Sequence, residues 1–177
     1  MEDSRNEMMN ATYKALSKHG YADLTIEKIA EESEKGKSSI YYHFDDKEAL
    51  ILDFLDFMRD NLEKMLSDID AASYQKVEEI LELLLAKDDE MWEFHKALID
   101  IQGRAQFNEK LGEKFCETDE MLEDEIKQAL KQTGVSDPEF RAEMMLSTVQ
   151  GAMNRKLTLD ERKGLEKVKK DLMDSIK

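Results

Sequence analysis

The segment from Leu24 to Leu50 constrains the fold most, because its apolar residues recur at helical spacing on either side of a short interruption. Thr25 is a residue type that often precedes a helix, and two isoleucines follow it three residues apart. The periodicity stops at residues 33–36, where Gly36 is free to take a positive φ. A second short helix is predicted from Lys37 to Phe44. The pattern therefore predicts two short helices joined by a tight turn.

The second of these helices has an inward and an outward face. Ile40 and Phe44 are four residues apart, which places both on the inward side. Short polar side chains can reach base edges in a DNA groove, and cations or phenols beside them bind phosphates. This segment is typical of a DNA-reading module, although its first turn taken alone also fits an ordinary solvated helix start. The outward face carries mostly hydrogen-bond donors: Lys37, Ser38, Ser39, Tyr41, Tyr42 and His43.

Residues 5–50 resemble the N-terminal signature of the TetR family of one-component transcriptional regulators. In the turn, residues 33–36 read Ser-Glu-Lys-Gly where many members have Ala-Gly-Val-Ser, and this variant is similar to one seen in archaeal members. The resemblance is carried at fixed distances by Ala15-Leu16, His19-Gly20-Tyr21, Leu24-Thr25, Ile29-Ala30, Ile40-Tyr41-Tyr42-His43-Phe44 and Lys47-Glu48-Ala49-Leu50.

The resemblance implies an all-α protein. Residues 1–48 are expected to form a three-helix, helix-turn-helix DNA-binding head, and residues 49–177 a helical-bundle body for ligand binding and dimerisation. Lys37, Ser38 and Ser39 are expected at base edges. The phosphate-facing residues are expected to be Tyr41, Tyr42, His43 and Lys47. For Tyr41, partial packing in the core is an open alternative. The complete expected DNA contact set is Thr25, Lys35, Gly36, Lys37, Ser38, Ser39, Tyr41, Tyr42, His43 and Lys47.

The net charge of −15 is unusual for a protein that binds nucleic acid. Residues 1–50 carry seven Lys or Arg and eleven Asp or Glu, so the head is acidic as well. We expect weak non-specific DNA binding and a dependence on two heads acting together. The single cysteine, Cys116, has no internal disulfide partner, and no apolar run approaches the ~18 residues needed to span a bilayer. A cytoplasmic location is expected.

Helices are also predicted beyond the head. Asp45 or Asp46 is expected to cap a long fourth helix that links head and body. Serine or threonine followed three residues later by glutamate predicts two further helix starts, at Ser136 and Thr158. The remaining predicted elements are residues 5–18, a helix from Ser73 to Lys87, one from Met91 to about Gly103 after a start signal at residues 88–90, and two separate elements at residues 106–115 and 118–133.

The expected effector cavity lies in the body. Trp92, His95, Ile99 and Gln102 share one face of the sixth helix and are candidate lining residues. Alternatively, His95 is an interior histidine and the methionines are core residues. His95 lacks the neighbouring ligands of a metal site, and no metal or cofactor is expected. On the helix that follows Pro138, the candidates to face the effector cavity are Met144, Met145, Thr148 and Met153.

The resemblance implies a homodimeric repressor that binds a palindromic operator in double-stranded DNA and is released by a small, largely apolar effector. The resemblance places the dimer interface at residues 121–131 and 140–154, while the alternative is that both apolar stripes pack only within the subunit. No catalytic arrangement is visible, so an enzyme is not expected. The alternative function is a helical interaction or adaptor protein with vestigial DNA binding.

Overall fold

The computed structural model describes residues 2–33, 37–85, 88–161 and 164–176, which form nine α-helices, one short 3-10 helix and no strand. The predicted all-α fold is confirmed. The helices are α1 (Glu2–His19), α2 (Ile26–Glu31), α3 (Lys37–His43), α4 (Lys47–Ser67), α5 (Ser73–Leu84), α6 (Asp89–Arg104), α7 (Glu109–Lys131), α8 (Pro138–Thr158) and α9 (Leu165–Ser175), and the 3-10 helix is Ala105–Phe107.

The chain divides into two compact units. Unit 1 comprises residues 1–60 and 88–115, so it contains α1 to α3, most of α4, and α6. Its core joins residues of the head, such as Ile29 and Ile40, to Phe54 of α4 and Phe94 of α6. The helix-turn-helix therefore shares one hydrophobic core with α4 and α6. The functional division at residue 48 stays a prediction, because packing alone does not assign functions.

Unit 2 comprises residues 61–87 and 116–177. Helix α9 packs against α5 and α8. Lys169 on α9 reinforces the first of these contacts, since its Nζ lies 2.7 Å from Glu82 Oε1 and 3.9 Å from Glu78 Oε1 on α5. Apolar residues on the inner sides of these helices are buried, among them Ile80, Leu146 and Met173.

Local side-chain caps fix several helix starts. The Thr25 hydroxyl accepts a hydrogen bond from the Lys28 amide at 3.3 Å, as expected for the cap of α2. Asp46 Oδ1 accepts from the Ala49 amide at 2.8 Å, so Asp46 rather than Asp45 caps α4. Asp88 Oδ1 accepts from the Met91 amide at 2.8 Å and caps α6.

Three predicted capping residues were wrong. Asp137, and not Ser136, caps α8, because Pro138 suits the first helical position directly after the cap. Thr158 is the last residue of α8, and α9 begins only after Gly164, whose φ of +94° suits a residue without a Cβ. The cap position of α5 is Ala72, and Ser73 is already the first helical residue.

One predicted interruption was also wrong. The elements expected at residues 106–115 and 118–133 are largely one continuous helix, α7, preceded by the short 3-10 helix. Residues 116 and 117 are Cys and Glu, and neither residue type stops a helix. The helix instead begins after Asn108, whose side-chain oxygen accepts from the Leu111 amide at 3.3 Å.

Candidate nucleic-acid interface

Helices α2 and α3 form a compact pair in unit 1. In α2, the Ile29 amide donates to the Thr25 carbonyl at 3.1 Å, and the Glu32 amide donates to the Ile29 carbonyl at 3.2 Å. In α3, Ile40 is fully buried and Phe44 half-buried, so the predicted inward face is confirmed. Burial of that face directs the other side of α3 toward solvent.

The outward aromatic residues of α3 are strongly exposed. Tyr42 is 85% exposed, and its ring meets that of His43 edge to face at a centroid distance of 5.2 Å. Tyr41 is 48% exposed, so about half of its surface packs against the protein. An exposed tyrosine of this kind presents a phenol donor and an aromatic face to a ligand.

Lys47 has a structural role at the beginning of α4. Its Nζ donates hydrogen bonds to the carbonyl oxygens of Tyr21 at 3.3 Å and of Leu24 at 3.1 Å, and it lies 4.3 Å from the centroid of the Tyr21 ring. Burial lowers the pKa of Lys47, and the positive charge of Arg104 lowers it further. The lysine thus attaches the first turn of α4 to the segment between α1 and α2.

The predicted DNA contacts at the turn and at the start of α3 fall partly within the described residues. Lys35 and Gly36 lie outside the described residues. Lys37, Ser38 and Ser39 form the first turn of α3, which is the end of a reading helix that usually meets base edges. The positions of these backbones agree with the expected role, and the assignment of individual side chains to base edges stays a prediction.

The α6 candidates for the effector cavity belong to unit 1. Trp92 is 1% exposed, Ile99 is half-buried, and Gln102 is exposed. His95 Nδ1 donates to the Met91 carbonyl at 2.7 Å, and burial lowers the pKa of the imidazole. His95 is consequently neutral at neutral pH, with one nitrogen already hydrogen-bonded.

The α8 candidates belong to unit 2. Met145 and Met153 are buried, whereas Met144 is 50% exposed. Thr148 is exposed, and its hydroxyl donates to the Met144 carbonyl at 2.7 Å. Because the eight candidates are divided between the two units, their meeting in one cavity stays a prediction.

In the described part of the chain, no three His, Cys, Asp or Glu side chains are grouped so as to hold a metal ion. None of the helices in that part is both long enough and apolar enough to cross a membrane.

Sequence reasoning missed Arg104. This residue ends α6, and its guanidinium Cζ lies 4.8 Å from the centroid of the Tyr21 ring. Tyr21 is more than 80 positions earlier in the chain, and no local spacing links the two residues. Only the packing of α6 in unit 1 brings them together.

Comparison with known proteins agrees with this geometry. Residues 8–54 match the family described as bacterial regulatory proteins, tetR family. The transcriptional repressor AcnR of Corynebacterium efficiens is 22% identical over 125 residues, a match that spans 71% of this chain and 63% of AcnR. The chain thus covers less than two thirds of that relative.

Two solved structures extend the likeness to the whole fold. A TetR transcription regulator from Haloarcula marismortui has 28% identity and a TM-score of 0.88, with 99% of this chain and 98% of that chain covered. A transcriptional regulator from Saccharomonospora viridis, solved in complex with choline, has 18% identity and a TM-score of 0.77, with 99% and 96% covered.

The α2–α3 pair with its exposed polar face defines a helix-turn-helix protein. The family match over residues 8–54 and the likeness of the whole chain to a solved regulator at 28% identity narrow this class further. Residues 8–54 therefore resemble the helix-turn-helix segment of bacterial regulatory proteins of the tetR family, and the fold of the whole chain is similar to that of a solved TetR regulator. The narrower resemblance of its turn to archaeal members has no support in these comparisons.

Proposed function

We propose that the protein is a sequence-specific DNA-binding transcriptional regulator. The observation that carries this proposal is the pairing of α2 and α3, with Ile40 buried and Tyr41 and Tyr42 exposed, in a segment that matches the TetR family. The first turn of α3 reads bases in the major groove, and the exposed rings and neighbouring helix starts bind phosphates. The protein works in the cytoplasm, where its DNA is.

The regulator acts as a homodimer. On α8, Phe140 is 57% and Met144 50% exposed, and these residues are four positions apart, so they present adjacent apolar groups on one side of the helix. Gly151 follows on the same helix, and among the described residues no atom outside its own stretch of helix lies within 4 Å of the position that a Cβ would occupy. Such a face suits contact with the same face of a second copy, through residues 121–131 and 140–154.

Two heads are needed because one short reading helix gives little affinity or specificity. The net charge of −15 makes that need greater, since remote acidic groups weaken the attraction of the whole protein to phosphates. A dimer places two reading helices about one DNA turn apart, which matches a palindromic operator. Charges near the DNA still dominate its attraction to the protein, because electrostatic interactions at physiological salt are screened over about 8 Å.

The regulatory mode is repression relieved by a small, largely apolar effector. Repression is supported by AcnR, whose name is that of a repressor, and binding of a small molecule is supported by the S. viridis regulator, which was solved in complex with choline. For release, the effector must bind the DNA-incompetent arrangement more tightly than the competent one. Helix α4, which begins beside the helix-turn-helix and continues for 21 residues, is the element that transmits the change.

Selection of bound genomic fragments tests the proposal directly. Wild-type protein is expected to enrich a small set of fragments that share a palindrome. Lys37→Ala should weaken this enrichment without changing the unfolding transition, because the residue lies at the start of α3. Lys170→Ala on α9 is the matched control, since it removes an exposed lysine far along the chain from α3. Wild-type protein that enriches no sequence would refute the proposal.

The second candidate function is an adaptor that binds a protein partner, which the acidity of the chain favours. The two functions differ in their salt dependence. A sequence-specific dimer should lose affinity by about 0.9 log units per contacted phosphate for each log unit of salt. A flat salt response, together with binding that does not depend on sequence, would favour the adaptor.

A further inference from the structure

One aromatic ring in unit 1 is contacted by two cations from different helices. Lys47 Nζ, at the start of α4, lies 4.3 Å from the centroid of the Tyr21 ring. The guanidinium carbon of Arg104, at the end of α6, lies 4.8 Å from the same centroid. Both distances are within the range of a cation–π interaction. We call these three residues the Tyr21 cluster.

The two cations of the cluster are not neutralised by close acids. Asp100 and Glu48 are near enough for their charges to affect the pKa values of Lys47 and Tyr21, respectively. Across the described ranges, however, neither acid comes within ion-pair distance of Lys47 or Arg104. Two like charges beside one ring repel each other, so an anion bound close to either would relieve the repulsion.

The cluster also lies beside the helix starts that flank the reading helix. Lys47 donates to the carbonyl of Leu24, and the next residue, Thr25, is the cap of α2. The cluster is therefore held next to the beginnings of both α2 and α4. In helix-turn-helix proteins, the elements on either side of the reading helix are the ones that contact the DNA backbone.

The remaining donors suit a phosphate. Lys47 uses two of its three N–H groups on the carbonyls of Tyr21 and Leu24, so one is left. Arg104 is exposed with its guanidinium over the ring, and no hydrogen bond joins that guanidinium to any other described residue. A guanidinium held against a ring can still donate two parallel hydrogen bonds to phosphate oxygens.

We propose that the Tyr21 cluster is a phosphate-binding site for the DNA backbone, in which Arg104 is the principal anion contact and Lys47 supports it. This inference rests on the proposed DNA-binding function. It extends the DNA interface from the helix-turn-helix to the end of α6. Arg104 would make α6 part of the surface that holds the operator.

The first test is the salt dependence of binding to the duplex recovered by genomic selection. Arg104→Gln should reduce the slope of log affinity against log salt by about 0.9 per protomer, or about 1.8 for a dimer. Arg104→Lys should keep most of the slope, because it retains the charge. Lys170→Gln on α9 removes one exposed charge and should leave the slope unchanged.

The second test locates the phosphate. In a series of duplexes, single phosphates of the recovered operator are replaced by neutral methylphosphonates. Wild-type protein should lose affinity at one position outside the bases read by α3, and Arg104→Gln should be insensitive to replacement at that same position. This non-additivity is a signature of direct contact that loss of a merely structural ring contact would not produce.

The outcomes separate this inference from the function on which it rests. If wild-type protein binds no duplex specifically, the proposed function itself fails. If wild-type protein binds specifically but Arg104→Gln keeps the full salt slope and the full methylphosphonate sensitivity, only the phosphate site is refuted. Unchanged thermal unfolding of Arg104→Gln is expected, since the side chain is exposed.

Discussion

Arg5 and Asp53 join α1 to α4 through two parallel hydrogen bonds, from Arg5 Nε to Asp53 Oδ2 at 3.0 Å and from Nη2 to Oδ1 at 2.7 Å. The hydrogen bond to Asp53 raises the pKa of the arginine. This geometry matches the planar guanidinium to the carboxylate at two points. The pair therefore fixes the beginning of α1 against the middle of α4 within unit 1.

A double-mutant cycle with Arg5→Ala and Asp53→Ala should give a favourable coupling of about 0.5–1 kcal/mol in urea unfolding. The value is small because both side chains are partly exposed. Lys18 and Glu32 form an ion pair with a single contact at 2.7 Å, in which the lysine is largely exposed. A double-mutant cycle on this pair should give a smaller coupling energy. Strictly additive effects at Arg5 and Asp53 would contradict the prediction.

Thr25 combines a structural and a predicted binding role, and substitutions should separate them. Thr25→Ala removes the cap of a six-residue helix and should cost about 1 kcal/mol of unfolding free energy. Thr25→Asp should restore the cap, since aspartate accepts the same amide hydrogen bond. Urea unfolding of the three proteins measures this difference.

The affinities of the Thr25 variants for DNA should rank differently from their stabilities. Thr25→Asp places a negative charge where a phosphate is expected, so it should bind the selected duplex more weakly than wild-type protein despite its restored stability. Thr25→Ser keeps both the cap and the hydroxyl and should resemble wild-type protein in both measurements. Wild-type affinity in Thr25→Asp would show that Thr25 is not close to the DNA backbone.

Much of the fold follows from local sequence signals. The starts of α2, α4 and α6 depend on side chains that accept amide hydrogen bonds three residues later, at Thr25, Asp46 and Asp88. Such signals are contained within one turn of helix, so they can be read without the tertiary structure. Where two candidate caps are adjacent, as at Ser136 and Asp137, the sequence pattern favoured the wrong residue.

The candidate site was only partly predictable for a related reason. The outward face of α3 depends on periodicity within seven residues, whereas the Tyr21 cluster depends on three residues brought together from the segment between α1 and α2, from α4 and from α6. The sequence pattern also assigned Lys47 to phosphate binding alone. Its two hydrogen bonds to carbonyl oxygens show that it also supports the fold.

Lys47→Met should therefore reduce stability as well as DNA binding. The substitution keeps an apolar stem but removes two hydrogen bonds, one to Tyr21 and one to Leu24, and should cost about 1–2 kcal/mol in urea unfolding. Lys28→Met is a suitable control, because Lys28 makes a single exposed hydrogen bond to the Asp23 carbonyl and should matter less. Equal stability of the two variants would refute the supporting role of Lys47.

Met144→Glu should weaken the proposed dimer. The side chain is 50% exposed in the single chain, so a charge there should leave unfolding of the monomer almost unchanged while placing an unpaired carboxylate in the interface. Analytical ultracentrifugation should show a shift toward monomer. Leu159→Glu, at a residue 61% exposed and outside the predicted interface, should remain dimeric. A Met144→Glu dimer as tight as that of wild-type protein would place the interface elsewhere.

Two aspartates on α7 should give opposite dependences of stability on pH. Burial raises the pKa of Asp119, although the Gln150 side chain donates a hydrogen bond to it at 2.6 Å. A hydrogen bond from Lys127 lowers the pKa of Asp124. The folded state therefore binds a proton more tightly than the unfolded state at Asp119 and less tightly at Asp124.

The sign of each effect follows from this difference. The stability that Asp119 contributes to the folded state is fully present below the unfolded-state pKa and is lost as pH rises through the folded-state pKa. The stability that Asp124 contributes is present above the unfolded-state pKa and is lost as pH falls through the folded-state pKa. Urea unfolding between about pH 3 and pH 7 measures both. Relative to Asp119→Asn, wild-type protein should become less stable as pH rises, and relative to Asp124→Asn it should become more stable. Parallel pH profiles for the three proteins would show that neither carboxylate differs between the folded and unfolded states.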